Sequence, residues 1–352
     1  MKLFIPGRLC LFGEHSDWAA EYRTLNPKIE KGYAIVVGTN QGIYAEVKTH
    51  INFVFKTPDY SDQLELAMDE QTLLSMAQTG GFFSYVAGVA YQALTRYQVG
   101  GLEIDNYLTD LPLKKGLSSS AAVCVLVARA FNLLYDLNLT FQAEMELAYW
   151  GERTTPSLCG RMDQACAYGN QPVLMTFDGD RIEVQPLEII QDLFFVIVDL
   201  GAAKDTQLIL AQLNQCYPIA GDASCKGKAH RIQAQVQKYL GKINADLTQQ
   251  AAVALQQGDA EQIGVLMQQA QTEFDRLMIP ACPSQLNAPI LHQLLNYSPL
   301  QPYIYGGKGV GSQGDGTAQF IVKNRSSQEQ AIAIIATDFP QMQCLKLTIS
   351  PT

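Results

Sequence analysis

Residues 112–122 read Pro112-Leu-Lys-Lys-Gly-Leu-Ser-Ser-Ser-Ala-Ala122. A flexible turn at Gly116, three hydroxyls (Ser118, Ser119 and Ser120) and a strong helix start from Ala121 follow one another without a break. The first amides of a helix lack intrahelical partners and point outward, at the positive end of the helix dipole. A phosphate placed there meets N–H donors, a favourable field and serine hydroxyls. The same residues also make an ordinary N-cap, for which serine is favoured. Taken alone, the stretch supports both readings. The Walker pattern G-x-x-x-x-G-K-[ST] occurs nowhere, which excludes a standard P-loop.

The totals bound the rest. With 352 residues the chain is long enough for two domains, and 47% hydrophobic with 17% charged residues is an ordinary globular composition. A net charge of −9 argues against nucleic acid or an anionic membrane surface as partner, because both want clustered positive charge. It leaves room for a local basic pocket. No apolar run reaches the roughly 18 residues of a membrane span, and Pro6, Gly7 and Arg8 end the first apolar run too early for a signal peptide. The eight cysteines are scattered and form no C-x-x-C pair, so a reduced, cytoplasmic protein is expected.

Strand signals occupy Leu3–Ile5, Leu9–Phe12, Ala34–Val37, Gly42–Lys48 and Asn52–Lys56. Helical spacing runs over 82–97, and residues 102–107 read as a strand. Residues 121–135 are apolar nearly all round, as in a buried central helix. Thr140 is placed to cap a helix over 141–152, and Asp178-Gly179 joins 173–177 to 181–185 as a hairpin. After an apolar strand at 193–199 come helices near 205–216, 223–240, 246–257, 259–278 and 287–296. A strand, a helix and a strand follow at 319–322, 328–337 and 344–349. The composition shift near 187–200 divides the chain into expected domains 1–190 and 191–352.

Four constellations carry chemistry. Glu14, His15 and Asp17 lie within four residues after a strand; carboxylates accept from vicinal hydroxyls and an imidazole accepts or donates, so they suit a polyhydroxylated ligand. A solvated turn is the plain alternative. The serine stretch is the second. Glu152 and Cys159-Gly160-Arg161-Met162-Asp163-Gln164 form the third, with an aspartate that an arginine would keep ionised and able to orient a hydroxyl; a surface ion pair explains it equally. The fourth is 306–316, with six glycines in eleven residues and a formal G-x-G-x-x-G match at 309–314. A strand follows it, whereas a dinucleotide fingerprint opens a helix. Close backbone approach or a flexible loop remain. Lys204-Asp205-Thr206 is a weaker candidate, a cation beside a ligand or a solvated helix start.

In order, PGRLCLFGEHSDW (6–18), PLKKGLSSSAA (112–122) and GVGSQGDGTAQF (309–320) resemble the motifs of the GHMP kinase superfamily, the galacto-, homoserine, mevalonate and phosphomevalonate kinases. The first is most similar to the sugar-kinase signature P-G-R-x-N-[LI]-I-G-E-H-T-D-Y, and CGRMDQ (159–164) resembles C-G-[IS]-M-D-Q. Cys10 and Trp18 stand where that signature has Asn and Tyr, and Ser312, Gln313 and Asp315 depart from the usual G-A-G-x-G-G core.

The resemblance implies a two-domain α/β (α+β) fold, ribosomal protein S5 domain 2-like in the N-terminal half and ferredoxin-like in the C-terminal half. It implies ATP, Mg²⁺ and phosphoryl transfer to a small-molecule alcohol, a sugar or polyol. Lys115, Gly116, Leu117, Ser118, Ser119, Ser120 and Ala121 would wrap the phosphates, with Ser120 and Glu152 as Mg²⁺ ligands. Asp163 would face the acceptor hydroxyl, with Arg8 beside it. Glu14, His15, Asp17 and the backbone near Gly160 would hold hydroxyls. The loop from Gly309 to Gly316 would pack against the phosphate loop. A loose phosphoryl-transfer transition state needs positioning and charge neutralisation, which such groups supply. A mevalonate-type kinase is the enzyme alternative, disfavoured by like-charge repulsion between an acidic substrate and Glu14 and Asp17. A sugar sensor without turnover is the other, expected to have a damaged serine loop. A monomer or homodimer is expected.

Overall fold

The computed structural model describes residues 1–58, 63–111, 119–157, 159–217 and 228–351. The chain opens with β1 (Lys2–Phe12), α1 (Ser16–Glu21), β2 (Gly32–His50), β3 (Phe53–Lys56) and β4 (Leu64–Leu66). Next come α2 (Glu70–Gln78), α3 (Phe82–Arg96), β5 (Gly101–Thr109), α4 (Ser119–Leu134), α5 (Phe141–Arg153) and a 3₁₀ turn at Asp163–Tyr168. Then follow β6 (Val173–Asp178), β7 (Arg181–Pro186), β8 (Leu193–Asp199), α6 (Thr206–Asn214), α7 (Lys228–Lys238), α8 (Asn244–Gln256) and α9 (Ala260–Met278). The last elements are α10 (Pro283–Leu286), α11 (Pro289–Leu295), β9 (Ile304–Gly309), β10 (Thr317–Val322), α12 (Arg325–Asp338) and β11 (Gln343–Ile349). The described strands form two sheets in a mixed α/β architecture.

Several expected boundaries shift. Pro6-Gly7 does not break β1, which runs on as one strand. Its ladder partner is β2, and a strand paired on one side tolerates a residue without an N–H. The two expected segments at 34–37 and 42–48 are parts of the 19-residue β2. The helices expected at 223–240 and 246–257 are joined by a π-helical turn at Tyr239–Ile243, where Gly241 has φ −84° and ψ −109°. Helix α1 carries too few apolar positions to show a helical period, and α2 is capped by Asp69, whose Oδ1 accepts from the Thr72 N–H at 2.9 Å.

By compactness the chain forms two units, residues 1–8 with 37–170, and residues 9–36 with 171–352. This grouping differs from the 190/191 division that composition suggests.

In the first unit the strand order is β4-β3-β5-β2, with β3 and β5 parallel and the other pairs antiparallel. Helix α4 is buried from Ala121 to Ala128 and again over Ala130–Asn132. This matches its apolar surface on all sides. Phe131 of α4 stacks on Phe53 of β3, with ring centroids 6.3 Å apart. Helices α3 and α5 cross closely at Gly88, where an added Cβ would lie 2.3 Å from the Gly151 carbonyl oxygen.

In the second unit, Gly32–Val36 of β2 pairs antiparallel with β6, and β6 turns into β7 through Gly179-Asp180. The other sheet is antiparallel, in the order β11-β8-β10-β9. Val196, Val198 and Phe320 from this sheet pack with Leu291 of α11 and Ile335 of α12. A second cluster joins Ala19 of α1 to Ile209, Leu213, Val236, Phe274 and Leu277 from α6, α7 and α9, with Trp18 and Tyr22 at its edge. This cluster fixes the helix that follows Glu14 and His15.

Candidate active site

In the first unit Arg8 projects from the middle of β1, and its Nη2 donates to Asp163 Oδ1 in an ion pair. The Arg8 side chain is 6% exposed and Asp163 is 29% exposed, so the pair is inside the unit with the carboxylate toward solvent. Arg8 Nε and Nη1 are buried without a hydrogen-bond partner among the described residues. Buried N–H donors are nearly always matched in folded proteins. Two unmatched guanidinium donors beside a carboxylate suit an anionic oxygen, which takes charge-assisted bonds from such a fork.

Asp163 opens the 3₁₀ turn, and a buried network fixes that turn. Arg129 of α4 donates through Nε and Nη2 to Glu144 Oε2 of α5, at 2.8 and 2.6 Å, and Nη2 also donates to the Ala167 carbonyl at 2.6 Å. Asn132 Nδ2 holds the other Glu144 oxygen at 2.7 Å. Two helices and the turn bearing Asp163 are thereby tied by one guanidinium.

Glu152 of α5 is buried, and Gln164 Nε2 donates to its Oε2 at 2.8 Å. Burial pushes the Glu152 carboxyl up from its ordinary value, while hydrogen bonds from Gln164, Ser120, Cys159 and Ser157 pull it back. Ser120 and Glu152, separate in the sequence, are therefore within hydrogen-bonding reach. Among the described residues no group of three or more His, Cys, Asp or Glu could hold a metal ion. A hydroxyl with one under-compensated carboxylate does fit Mg²⁺, which takes few protein oxygens and fills its shell with water and phosphate. Ser119, Ser120 and Ala121 form the first turn of α4. Lys115, Gly116, Leu117 and Ser118 lie outside the described residues. Gly160 is partly exposed, ahead of the 3₁₀ turn.

In the second unit Glu14, His15 and Asp17 are not a solvated turn; all three are buried. The chain enters this segment through Gly13 at φ +90°, where a Cβ would fall 2.0 Å from the Tyr33 carbonyl oxygen. Glu14 forms a buried ion pair with Lys308 of β9, and the ammonium also donates to the Gly309 carbonyl at 3.0 Å. Asn244 Nδ2 holds the Glu14 carbonyl at 3.0 Å and Ser16 Oγ at 3.1 Å. Trp18 Nε1 donates to His15 Nδ1 at 3.1 Å, which places the proton of the neutral ring on Nε2. Nε2 is buried and faces the Ser312 backbone. Burial, with Lys204 and Lys308 acting on it, lowers His15 to about 3, while a hydrogen bond to the Ser312 backbone acts the other way. Lys204 donates to the Gln313 and Val310 carbonyls at 2.9 and 3.5 Å, and burial lowers it to about 8 against the opposing charge of Glu14.

The glycine-rich run is partly strand. Residues 304–309 form β9, and a Cβ at Gly306 would lie 2.1 Å from the Gly264 carbonyl oxygen of α9. Residues 310–316 form the turn from β9 into β10, closed by Val310 N–H to the Thr317 carbonyl at 3.0 Å. The formal dinucleotide match thus joins two antiparallel strands. Asp315 is committed elsewhere, its Oδ1 accepting from Leu291 N–H of α11 at 2.8 Å.

Lys308 and Asn244 escaped the sequence reading, and Lys204 was a minor candidate. A lysine inside a glycine and apolar strand run is the signal for Lys308. Asn244 follows a π turn, which leaves no pattern. Of the two carboxylates expected to repel an acidic substrate, Glu14 is paired with Lys308.

The family model described as GHMP kinases N terminal domain matches residues 84–170, a span that includes Ser120, Glu152 and Asp163. A galactokinase from Thermococcus kodakarensis is 24% identical over 289 residues, covering 78% of this chain and 77% of that one. Residues 84–170 are thus similar to the N-terminal domain of GHMP kinases, and most of the chain is similar to galactokinase. Among solved structures, the galactokinase of Lactococcus lactis complexed with galactose matches with a TM-score of 0.73 at 16% identity, covering 99% of this chain and 93% of that one. The mevalonate kinase of L. major in complex with R-mevalonate matches with a TM-score of 0.68 at 18% identity, covering 100% and 96%. At such identities these two likenesses speak for the two-domain fold alone. No helix among the described residues is long and apolar enough to cross a membrane.

Proposed function

We propose that this chain transfers the γ-phosphoryl group of ATP to a hydroxyl of a small polyhydroxylated acceptor, a monosaccharide. The observation that carries the proposal is the Arg8–Asp163 pair, in which one guanidinium nitrogen holds the carboxylate and two more are buried donors without partners among the described residues.

Asp163 accepts a hydrogen bond from the acceptor hydroxyl and receives its proton as the oxygen bonds to phosphorus. The bond from the γ-phosphorus to the bridging oxygen breaks at the same centre, and ADP leaves. Arg8 keeps Asp163 ionised and turns its free donors to the transferring group. Because the transition state is loose, Asp163 acts mainly by orienting the hydroxyl. Ser119, Ser120 and Ala121 at the start of α4, with Lys115, Gly116, Leu117 and Ser118 before them in sequence, bind the phosphates. Ser120 and Glu152 would hold Mg²⁺, which supplies charge neutralisation at the phosphates. Glu14, His15 and Asp17 suit the hydroxyls of such an acceptor.

A screen for ADP release over monosaccharides, uronic acids, polyols and mevalonate tests the proposal. Turnover on at least one sugar is expected. Binding of a sugar without any ADP release would replace the kinase reading with a sugar sensor.

A further inference from the structure

Gln164 follows Asp163 in the 3₁₀ turn of the first unit, yet it has no part in the proposed transfer. Its side chain is fully buried. Nε2 donates to Glu152 Oε2 at 2.8 Å and lies 3.7 Å from Cys159 Sγ. These contacts fix the amide, because the reverse orientation would set Oε1 against a carboxylate oxygen, acceptor against acceptor. Oε1 is then a buried acceptor with no hydrogen-bond partner among the described residues. Buried acceptors are nearly always matched in folded proteins. Packing alone does not call for such a group, since an apolar side chain of the same shape would avoid its desolvation. The turn also has a separate anchor, the Arg129 bond to the Ala167 carbonyl. One carbon joins the two ends of the amide, so a donor reaching Oε1 would stand beside Glu152. A dication held by one or two protein oxygens keeps several waters, and it polarises them into strong donors.

We infer that Gln164 is a positioning residue of the metal site: Nε2 holds the Glu152 carboxylate in place, and Oε1 accepts from a water of the bound cation. The inference rests on the assignment of Glu152 to Mg²⁺ above and adds the residue that orients it. Groups that hold a metal ligand in this way change metal affinity by about 10- to 100-fold when removed. Because Asp163 and Gln164 are adjacent, one turn carries both the group that orients the acceptor hydroxyl and the group that orients the metal ligand.

Mn²⁺ binding in the presence of a non-hydrolysable ATP analogue, followed by EPR with the full-length protein, tests this apart from turnover. Gln164→Met is close in size and should weaken Mn²⁺ binding about tenfold or more, while acceptor binding measured by calorimetry stays within a few-fold. The same substitution placed in Glu152→Gln should cost about twofold or less, because Gln164 acts through Glu152. Unchanged Mn²⁺ affinity in Gln164→Met, an equal loss in both backgrounds, or a loss of acceptor affinity in place of metal affinity would each overturn the assignment. Glu152→Gln alone separates the two levels. If it binds Mn²⁺ as the wild type does, Glu152 is not a ligand and both readings fall. If it binds Mn²⁺ weakly while Gln164→Met does not, the Gln164 assignment alone falls. In wild-type protein carrying ¹⁵N at its glutamine side-chain amides, pulsed EPR of the bound Mn²⁺ should show a dipolar ¹⁵N coupling. Its absence overturns the assignment even if Gln164→Met fails to fold.

Discussion

Lys308 and Glu14 lie 294 positions apart in the chain and share a buried ion pair, with side chains 1% and 5% exposed. Desolvating two charges is expensive, and the pair stands because each compensates the other. Removing one partner strands the other. Lys308→Met and Glu14→Gln should each destabilise the fold by about 3–5 kcal/mol. The double variant should recover part of the loss, since it leaves no isolated charge. Urea unfolding of the four proteins measures this, and additive losses in the double variant would show that the two groups are not coupled.

Asp163 is paired with Arg8 and is less buried than its partner. Asp163→Asn keeps the shape and a hydrogen-bonding oxygen but loses the charge that takes the hydroxyl proton. Turnover is expected to fall by about 10²-fold or more, in the range of lost acid–base groups, while nucleotide affinity stays within a few-fold. Single-turnover kinetics with a parallel nucleotide titration measure both quantities. Near-normal turnover would remove Asp163 from the chemistry.

The kinase motifs were legible because they are local. Each of PGRLCLFGEHSDW, PLKKGLSSSAA and CGRMDQ sits on one short segment, and the strong apolar elements α4 and β8 declare themselves by composition. What makes Glu14 a buried partner of Lys308 is a long-range pairing, and no periodicity encodes it. Helix α1 was hidden because its core face is Ala19 and Ala20, small residues beside polar Ser16 and Asp17. The glycine run was ambiguous for a related reason. Glycine carries no apolar signal, yet at Gly306 it lets β9 lie against α9.

Ser120 and Glu152 provide a prediction about metal dependence. Burial raises the Glu152 carboxyl, so a nearby cation would favour its ionised form. Ser120→Ala and Glu152→Gln should each raise the Mg²⁺ concentration needed for half-maximal turnover by several-fold, and leave acceptor binding nearly unchanged. Mg²⁺ titrations at saturating nucleotide, beside acceptor calorimetry, separate the two effects. A loss of acceptor affinity with unaltered Mg²⁺ dependence would reassign both residues.

His15 makes the second unit sensitive to acid. Folded, it is held at about 3 by burial and by Lys204 and Lys308; unfolded, it returns to its ordinary 6.5. Between those values the unfolded chain takes up a proton that the folded chain refuses. Stability carried by neutral His15 is therefore complete above pH 6.5 and declines as pH falls toward 3, by up to about 1.4 kcal/mol per pH unit. Carboxylates add their own slope, so the useful comparison is with His15→Gln, which lacks the titrating ring. Taken from pH 7.5 to 5, the wild-type protein should lose about 2 kcal/mol more than the variant, the 1.5 units below 6.5 multiplied by that slope. Urea midpoints at the two pH values measure the difference. Equal losses would mean that the folded ring accepts a second proton at Nδ1, and an imidazolium near two ammonium groups is what its surroundings oppose.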